Sequence, residues 1–209
     1  MLLLSTLKLG FMQTNCYIVG SCGKCVVIDP AYDADKILHS AEESGYTIEK
    51  IFLTHAHFDH IMALAELQER TGAEVYIHEN EIALLNNAAW NLSSQFAKNL
   101  RQYTGKAASV RDCDMIPVGN EYFKVMHTPG HTPGSVCYIC EDKLFSGDTL
   151  FYESYGRYDF PGGSFSELKN SLQRLANLDG DYAVFPGHGP ETSLSHERKF
   201  NELMVNFNE

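Results

Sequence analysis

Apolar runs and apolar periodicity divide the chain into strands and helices. The runs Asn15–Val19 and Cys25–Asp29 flank a Gly/Ser turn, which predicts a β-hairpin. Apolar residues three and four apart predict a helix over 33–43 with Asp33 as N-cap, and a second helix through Leu67 that stops at Gly72. The same criteria predict strands at 48–53, 74–77, 121–127, 135–140, 144–147 and 182–185, and helices at 164–176 and 193–206. The alternation of strand and helix predicts an α/β fold.

Residues 86–106 interrupt this regular pattern and contain the one tryptophan, Trp90. Such a segment is typical of a helical insertion or lid, and equally of a surface excursion with a few core anchors. No internal repeat, low-complexity stretch or Pro/Gly linker divides the chain, and 209 residues suffice for one large core. We therefore predict a single domain over residues 1–209.

The charge and hydropathy of the chain exclude several classes of function. The chain has 16 Lys and Arg against 27 Asp and Glu, a net charge of −11, and no basic stripe that would bind a phosphate backbone. No apolar run reaches the ~18 residues of a membrane span, and the opening Met-Leu-Leu-Leu lacks the charged region of a signal peptide. We expect a cytoplasmic protein with a small-molecule substrate and no nucleic-acid or membrane partner. The sequence leaves its oligomeric state open.

Two of the cysteine pairs have the spacing of zinc knuckles, Cys22 with Cys25 and Cys137 with Cys140. Cys137 and Cys140 lie in a predicted strand, where residues three apart point to opposite faces and cannot grip one ion. Cys22 lies in the hairpin turn, and Cys25 begins the next strand. We therefore expect the cysteines to be small buried hydrophobic residues of a reducing compartment, not ligands of a structural zinc.

A histidine-rich segment follows the predicted strand 48–53 directly. Thr54-His-Ala-His-Phe-Asp-His60 places three imidazoles and one carboxylate within six positions. His55 and His57 project the same way from an extended segment, while Asp59 and His60, at the turn into the helix, can face a second ion. Zinc and similar metals accept such nitrogen and oxygen ligands. The spacing therefore predicts a metal site.

Further candidate ligands follow other predicted strands, where α/β proteins place their sites. They are His131 in Pro-Gly-His-Thr-Pro-Gly, Asp148 in Ser-Gly-Asp-Thr, and His188 in Pro-Gly-His-Gly-Pro. The other histidines have structural interpretations. We expect packing or a contact behind the ligands for His127, and solvated surface for His39, His78 and His196.

The His-x-His-x-Asp-His motif, followed by Gly-His-Thr, Gly-Asp and Gly-His-Gly, resembles the metallo-β-lactamase superfamily from residue 15 to about residue 192. The resemblance implies an αββα four-layer sandwich, in which two mixed β-sheets are flanked by helices and the metal site lies at one edge between them. It also implies two divalent metal ions, which we expect to be Zn, although Fe or Mn accept the same ligands. By this resemblance the first ion is held by His55, His57 and His131, the second by Asp59, His60 and His188, and Asp148 bridges both.

The chemistry that this resemblance implies is hydrolysis by a water molecule that the two ions share and convert to hydroxide near neutral pH. Asp59 and Asp148 are accordingly the predicted catalytic residues. The family's β-lactamases have Cys or Ser in place of Asp148, which argues against antibiotic hydrolysis. The flavodiiron branch has Glu in place of His57, which argues against a diiron reductase.

The segment Gly156-Arg157-Tyr158, followed by Asp159-Phe-Pro-Gly, resembles the glyoxalase II group of thioester hydrolases in its short, single-domain form. This resemblance implies hydrolysis of a thioester such as an S-acylglutathione, with Arg157 and Tyr158 as substrate-binding residues. An ordinary structural salt bridge is the alternative for Arg157. Two alternatives remain for the reaction: that of a persulfide dioxygenase with one iron, and that of a lactonase with the same ligands.

Overall fold

In the computed structural model, which describes residues 2–205, the first of two large sheets has six strands in chain order. Its strands are β1 Leu3–Leu9, β2 Thr14–Ser21, β3 Lys24–Ile28, β4 Thr47–Phe52, β5 Glu74–His78 and β6 Ala107–Val110. Strands β1 to β3 are antiparallel, whereas β3 to β6 are parallel, so the sheet is mixed.

The second sheet also has six strands, in the order β14-β13-β10-β9-β8-β7. Their bounds are β7 Met115–Val118, β8 Glu121–His127, β9 Val136–Cys140, β10 Lys143–Gly147, β13 Ala183–Pro186 and β14 Thr192–Ser193. Strands β10 and β13 are parallel and the other neighbours are antiparallel, so this sheet is mixed too. Strands β11 Leu150–Phe151 and β12 Ser154–Tyr155 form a separate small hairpin.

Helices follow the strands on the outer sides of both sheets. They are α1 Ala34–Glu43, α2 Phe58–Ile61, α3 Leu64–Thr71, α4 Ser93–Phe96, α5 Phe165–Ala176, α6 Leu194–Phe200 and α7 Glu202–Val205, with a 3₁₀ turn at Glu79–Glu81. Within residues 2–205, none of them is both long and apolar enough to cross a membrane.

Strand β2 shows how period-two patterning builds the layers, because it is buried along its whole length. Cys16 and Ile18 face a core shared with α1 and α3, whereas Tyr17 and Val19 face the core between the two sheets. A third core joins the far side of the second sheet to α5, α6 and α7. Each fully buried aliphatic or aromatic side chain contributes about 1.5–3 kcal/mol, so both faces of each sheet are held. The αββα sandwich of two mixed sheets is confirmed.

Most of the predicted elements are present, with two interruptions. The 15–19 and 25–29 runs form an antiparallel pair, Asp33 caps α1 by accepting a hydrogen bond from Lys36 N, and Gly72 ends α3 in the left-handed conformation. The predicted helix through Leu67 is two helices, α2 and α3, and the last helix is divided at Asn201 into α6 and α7. Its predicted end at residue 206 lies outside the described residues.

The cysteines are free thiols. Two predictions were made for them: that they are buried, and that the Cys-x-x-Cys pairs do not hold a structural zinc. Cys137 and Cys140 belong to cores on opposite faces of the second sheet, so they cannot share one ion. Cys16 and Cys25 are buried as expected. The expectation of burial is wrong for Cys22 and Cys113, which are both exposed because each lies in a turn with a left-handed backbone (φ 53° and 70°).

Candidate metal centre

All seven predicted ligands converge at the edge where strands of both sheets end. They come from the segments after β4, β8, β10 and β13. Their donor atoms form three overlapping groups, within each of which all the atoms lie within 4.8 Å of one another. The groups are His55, His57 and His131; His55, His60 and Asp148; and Asp59, His60 and His188. The first and last are the two triads that the resemblance assigned to separate ions, and Asp148 belongs to the group that links them.

Asp29, at the carboxyl end of β3, fixes the histidine-rich segment from behind. Its carboxylate accepts hydrogen bonds from Thr54 N at 2.8 Å, from Thr54 Oγ1 at 2.7 Å and from His60 Nδ1 at 2.8 Å. Thr54 Oγ1 in turn lies 3.0 Å from His55 Nδ1. With Nδ1 engaged on both rings, the Nε2 atoms of His55 and His60 are left to face the cluster, as in protein metal sites.

Glu81 ties the two loops that carry His57 and His131. Its carboxylate is fully buried. It accepts one hydrogen bond from Ala56 N at 2.9 Å and another from Gly134 N at 2.8 Å. His131 is oriented independently, because its Nδ1–H donates to the carbonyl oxygen of Arg157 at 2.6 Å. Its Nε2 then lies 2.9 Å from His57 Nδ1. A neutral His57 with its proton on Nδ1 donates to this nitrogen, whereas a cation held by both atoms would replace that hydrogen bond.

The loop that carries His188 is held by the start of β2. Asn15 Nδ2 donates to the carbonyl oxygens of Pro186 and Gly189, and Tyr17 Oη donates to that of Pro186 at 2.6 Å. Gly187, between Pro186 and His188, lies so close to Asp148 that an added Cβ would be 2.2 Å from Asp148 Oδ1. Only glycine therefore leaves room for Asp148 in the cluster.

Four buried polar atoms of the cluster have no hydrogen-bond partner within residues 2–205: Nε2 of His55, His57 and His60, and Oδ1 of Asp148. Buried polar atoms without partners are rare, because each costs about 1–3 kcal/mol. Imidazole nitrogens and carboxylate oxygens are ligands of divalent metals such as Zn and Fe. The cluster therefore fits one or more divalent cations, which would satisfy these atoms.

Burial keeps three rings neutral, whereas neighbouring charges keep one carboxylate ionised and His60 protonated. Burial lowers the pKa of His55 and His131, and it lowers the pKa of His57 to about 3, so these rings hold lone pairs at neutral pH. Burial opposes ionisation of Asp148, but the facing histidines, above all His60, hold its pKa well below the usual range. For His60, burial is outweighed by three carboxylates, which raise its pKa well above the ordinary value. Neutral imidazoles and an ionised carboxylate are the forms that bind metal, so His60 would release its proton when a cation binds.

A cavity of about 280 Å³ opens beside the cluster. Its lining combines five of the seven donor residues with apolar side chains and Arg157: Met12, His57, Phe58, Asp59, Leu92, Phe96, His131, Asp148, Phe151, Arg157, Phe160 and His188. A larger depression lies at the amino ends of β3, β4 and β5, and it contains none of the predicted donors. The cavity beside the donors is thus the candidate substrate site.

Arg157 lines this cavity, but its charge is already compensated. Its guanidinium donates to both carboxylate oxygens of Asp159, at 2.9 and 2.8 Å, and lies 4.2 Å from the centre of the Phe160 ring. The salt bridge that was the alternative for Arg157 is present, and its role in binding substrate stays a prediction. Tyr158 is placed outside the cavity lining, with its ring against Phe165 at 4.8 Å.

The 86–106 segment contributes part of the cavity wall. Asn86 and Tyr103 close its base with two hydrogen bonds, and Asn91 O accepts a hydrogen bond from Phe58 N beside the donors. Leu92 and Phe96 line the cavity. Anchors of this kind fit both interpretations of the segment, and its movement as a lid stays a prediction.

One of the other histidines is placed differently from the prediction. His39 is exposed as expected, and His127 packs behind the ligand loop, with Nε2 donating to Pro133 O. The expectation of solvated surface is wrong for His78, whose ring is buried and stacks on His127 at 4.0 Å. His78 shares with Tyr76 the face of β5 that is turned towards the second sheet. His196 is half-buried against Tyr152 and does not line the cavity.

Sequence reasoning missed Asp29 and Glu81, the two carboxylates that hold the ligand loops. The sequence pattern places Asp29 only at the end of a predicted strand. A carboxylate at the carboxyl end of a buried strand is nevertheless typical of a functional residue. Glu81 gave no such signal, since its partners Ala56 and Gly134 are distant in sequence and are bound through the backbone.

Two relatives match nearly the whole chain and have functions that agree with this geometry. The chain is 36% identical over 206 residues to the probable metallo-hydrolase YqgX of Bacillus subtilis. The match covers 96% of this chain and 97% of that protein. It is 28% identical over 197 residues to the hydroxyacylglutathione hydrolase GloC of Haemophilus influenzae. This match covers 92% of this chain and 93% of GloC.

Solved structures share the fold over nearly the whole chain. The B3 metallo-beta-lactamase BLEG-1 has a TM-score of 0.91 at 34% identity, covering 98% of this chain and 100% of that one. TTHA1623, in a di-iron-bound form, has a TM-score of 0.87 at 34% identity, covering 95% and 98%. ETHE1 from Myxococcus xanthus has a TM-score of 0.81 at 30% identity, covering 99% and 92%. A family model described as the metallo-beta-lactamase superfamily matches residues 9–188. With this match and the donor cluster together, the chain belongs to the metallo-β-lactamase superfamily.

Proposed function

We propose that this chain is a hydrolase of thioesters that uses two divalent cations. The observation that carries the proposal is the cluster of seven donors, four of whose buried atoms have no hydrogen-bond partner within residues 2–205, beside a cavity of substrate size. The coarser function, that of a metallo-hydrolase, follows from the superfamily and from YqgX. The thioester is supported by the GloC relative, which is described as a hydroxyacylglutathione hydrolase.

Each residue of the cluster has a defined task in this proposal. His55, His57 and His131 would hold one cation, and Asp59, His60 and His188 the other, with Asp148 between them. Divalent cations bound there supply Lewis-acid activation of the carbonyl group and of water.

Asp59 would orient the attacking water molecule. Its Oδ2 is fixed by Thr14 Oγ1 at 2.9 Å and faces His188 Nε2 at 3.1 Å. Water adds its oxygen to the carbonyl carbon, the C–S bond breaks, and the hydrogens of the water are shared between the carboxylic acid and the thiol.

The test is hydrolysis of S-lactoylglutathione by the purified protein loaded separately with Zn, Fe or Mn. We expect turnover with a loaded metal and its loss in His55→Ala, because this substitution removes a donor common to two of the three groups. His39→Ala is the matched control, since His39 is exposed on α1 and distant from the cluster in the sequence. Full turnover in His55→Ala at full metal content would refute the proposal.

The persulfide dioxygenase reaction, which uses one iron, is the second candidate, because TTHA1623, 34% identical to this chain, shows that a related protein binds iron, there in a di-iron-bound form. The donor types of the cluster accept iron as readily as zinc. Oxygen uptake with glutathione persulfide by the iron-loaded protein, without thioester turnover by any metal form, would replace the hydrolase proposal. A β-lactam belongs in the same panel, since BLEG-1 is described as a B3 metallo-β-lactamase.

A further inference from the structure

The part of the cavity lining that holds no donor is apolar. Apart from the donors and Arg157, the described lining residues are Met12, Phe58, Leu92, Phe96, Phe151 and Phe160. They come from the β1–β2 turn, the ligand segment, the 86–106 segment and the stretch after Asp148. Four separate parts of the chain therefore supply one apolar surface next to the reacting atoms.

Several of these side chains are exposed, although burying them elsewhere would stabilise the fold. Phe96 is 53% exposed and Met12 is 46% exposed, and the adjacent Phe11 is 62% exposed. Phe11 and Phe96 stack on the buried ring of Phe58, at 6.0 and 5.7 Å. A contiguous exposed apolar patch on a folded protein marks a binding surface, and this one lies at the mouth of the cavity.

The charges at the cavity do not match those of glutathione. Arg157 is the one basic residue among the described lining residues, and Asp159 engages its guanidinium through both carboxylate oxygens. A carboxylate of glutathione would have to displace Asp159, which is attached to the same short segment. Charged groups of a substrate thus gain little from this wall, whereas an uncharged chain gains contact with every apolar residue of it.

The size of the cavity agrees with an acyl group. About 280 Å³ lies just below the ~300 Å³ at which sites for whole drug-sized ligands begin. A cavity of this volume encloses a short alkyl or aromatic acyl chain and leaves the thiol portion of a thioester outside.

We propose that the cavity binds the acyl group of the substrate, and that the enzyme selects thioesters with an apolar acyl chain over those with a short or hydroxylated one. This inference rests on the proposed thioester hydrolase function. It assigns specificity to the surface formed by Phe58, Leu92 and Phe96, and it gives the thiol portion a minor part in recognition.

The test uses two matched series of substrates: acetyl, butyryl and hexanoyl thioesters of the uncharged thiol N-acetylcysteamine, and the same acyl groups on glutathione. With the metal-loaded protein, kcat/KM should rise about fourfold for each methylene that the cavity buries. The slope should be the same in both series. A flat dependence on acyl length, or a preference set by the thiol alone, would overturn the inference.

Phe96→Ala tests the surface itself, because the exposed ring can be removed from the short helix α4 without opening the core. The ratio of hexanoyl to acetyl kcat/KM should fall about fifteenfold, the effect of uncovering roughly two methylenes. Phe200→Ala is the matched control, since Phe200 is 59% exposed and lies outside the cavity lining. Equal ratios in the two variants would refute the assignment.

A binding measurement separates this inference from the proposed function. Calorimetry with the non-hydrolysable S-hexyl and S-ethyl thioethers of N-acetylcysteamine should give tighter binding of the S-hexyl compound, and Phe96→Ala should remove the difference. If no thioester is hydrolysed but this difference is found, the reaction is wrong and the apolar site stands. If thioesters are hydrolysed and the two thioethers bind equally, the acyl site is wrong and the reaction stands.

Discussion

Replacing Glu81 by Gln tests whether the carboxylate that joins the two ligand loops positions the metal centre. The substitution keeps the size and shape of the side chain. In the native protein, one carboxylate oxygen of Glu81 accepts a hydrogen bond from Ala56 N and the other accepts one from Gly134 N. A glutamine offers one oxygen and one NH₂ group, so one of the two backbone N–H groups would face another donor.

The expected cost follows from this mismatch. One hydrogen bond to a charged group, worth about 1.5–3 kcal/mol, is lost, and a buried N–H without a partner adds about 1–3 kcal/mol. Against this, a neutral amide costs less free energy to bury than a carboxylate does. The same cost of burying the charge raises the pKa of the Glu81 carboxyl. We expect a net loss of about 2–4 kcal/mol in the free energy of unfolding, which lowers Tm by roughly 5–15 °C in a chain of this size.

The metal centre should weaken at the same time, because Ala56 lies between His55 and His57 and Gly134 follows His131. Residues that orient metal ligands typically change metal affinity by about 10–100-fold, and we expect a loss in this range. Competition with a chromophoric chelator measures the affinity, and denaturant unfolding of the metal-free protein measures the stability.

Glu79→Gln supplies the control, since Glu79 lies two residues away and is an exposed partner of Arg111. This variant should change the free energy of unfolding by less than about 0.5 kcal/mol. If Glu81→Gln behaved like Glu79→Gln in both assays, the idea that Glu81 holds the ligand loops would be refuted.

Three other substitutions test separate features. Asp148→Asn removes the charge between the two triads; we expect metal content below two ions per chain by elemental analysis and kcat lowered at least about tenfold, and unchanged values would contradict it. Arg157→Ala should change KM for S-lactoylglutathione less than about threefold, since Asp159 already compensates the guanidinium; a tenfold rise would show direct binding. Burial and His127 lower the pKa of His78 to about 4. As the pH drops below 6.5, His78 is therefore protonated in the unfolded chain before it is protonated in the folded one, and the free energy of unfolding falls. His78→Asn should therefore reduce the loss of unfolding free energy between pH 7 and pH 5 by about 2 kcal/mol in denaturant melts, and an equal loss would contradict this.

The elements that sequence predicted correctly carry their signal locally. Helix α1 has its N-cap Asp33 and its apolar face within eleven residues, and β8 has the predicted bounds of 121–127. Strand β1 was missed because Ser5 and Lys8 interrupt its apolar pattern, and it forms by pairing with β2 at the edge of the sheet. Pairing partners of this kind are set by tertiary contacts and not by the propensity of the segment.

The candidate site divides in the same way. The donor types and their spacing are visible along the sequence, so the sequence alone predicts all seven donors. The burial of His78 was not visible, because it depends on how far the core between the sheets extends along β5. The pairing of Arg157 with Asp159 was equally open, since a basic residue two positions from an acidic one can face either its neighbour or a ligand.

The contacts behind the donors explain why the site and the fold depend on each other. Asp29 and Glu81, from the first sheet, hold the ligand loops of β4 and β8, while Asn15 and Tyr17 of β2 hold the loop of β13 in the second sheet. The donors of each triad therefore come together only when the two sheets pack. A cation that binds this arrangement has no equivalent site in the unfolded chain, so its binding free energy adds to the stability of the sandwich. Conversely, the packing between the sheets, through Tyr17 and its neighbours, helps to set the geometry in which the metal is held.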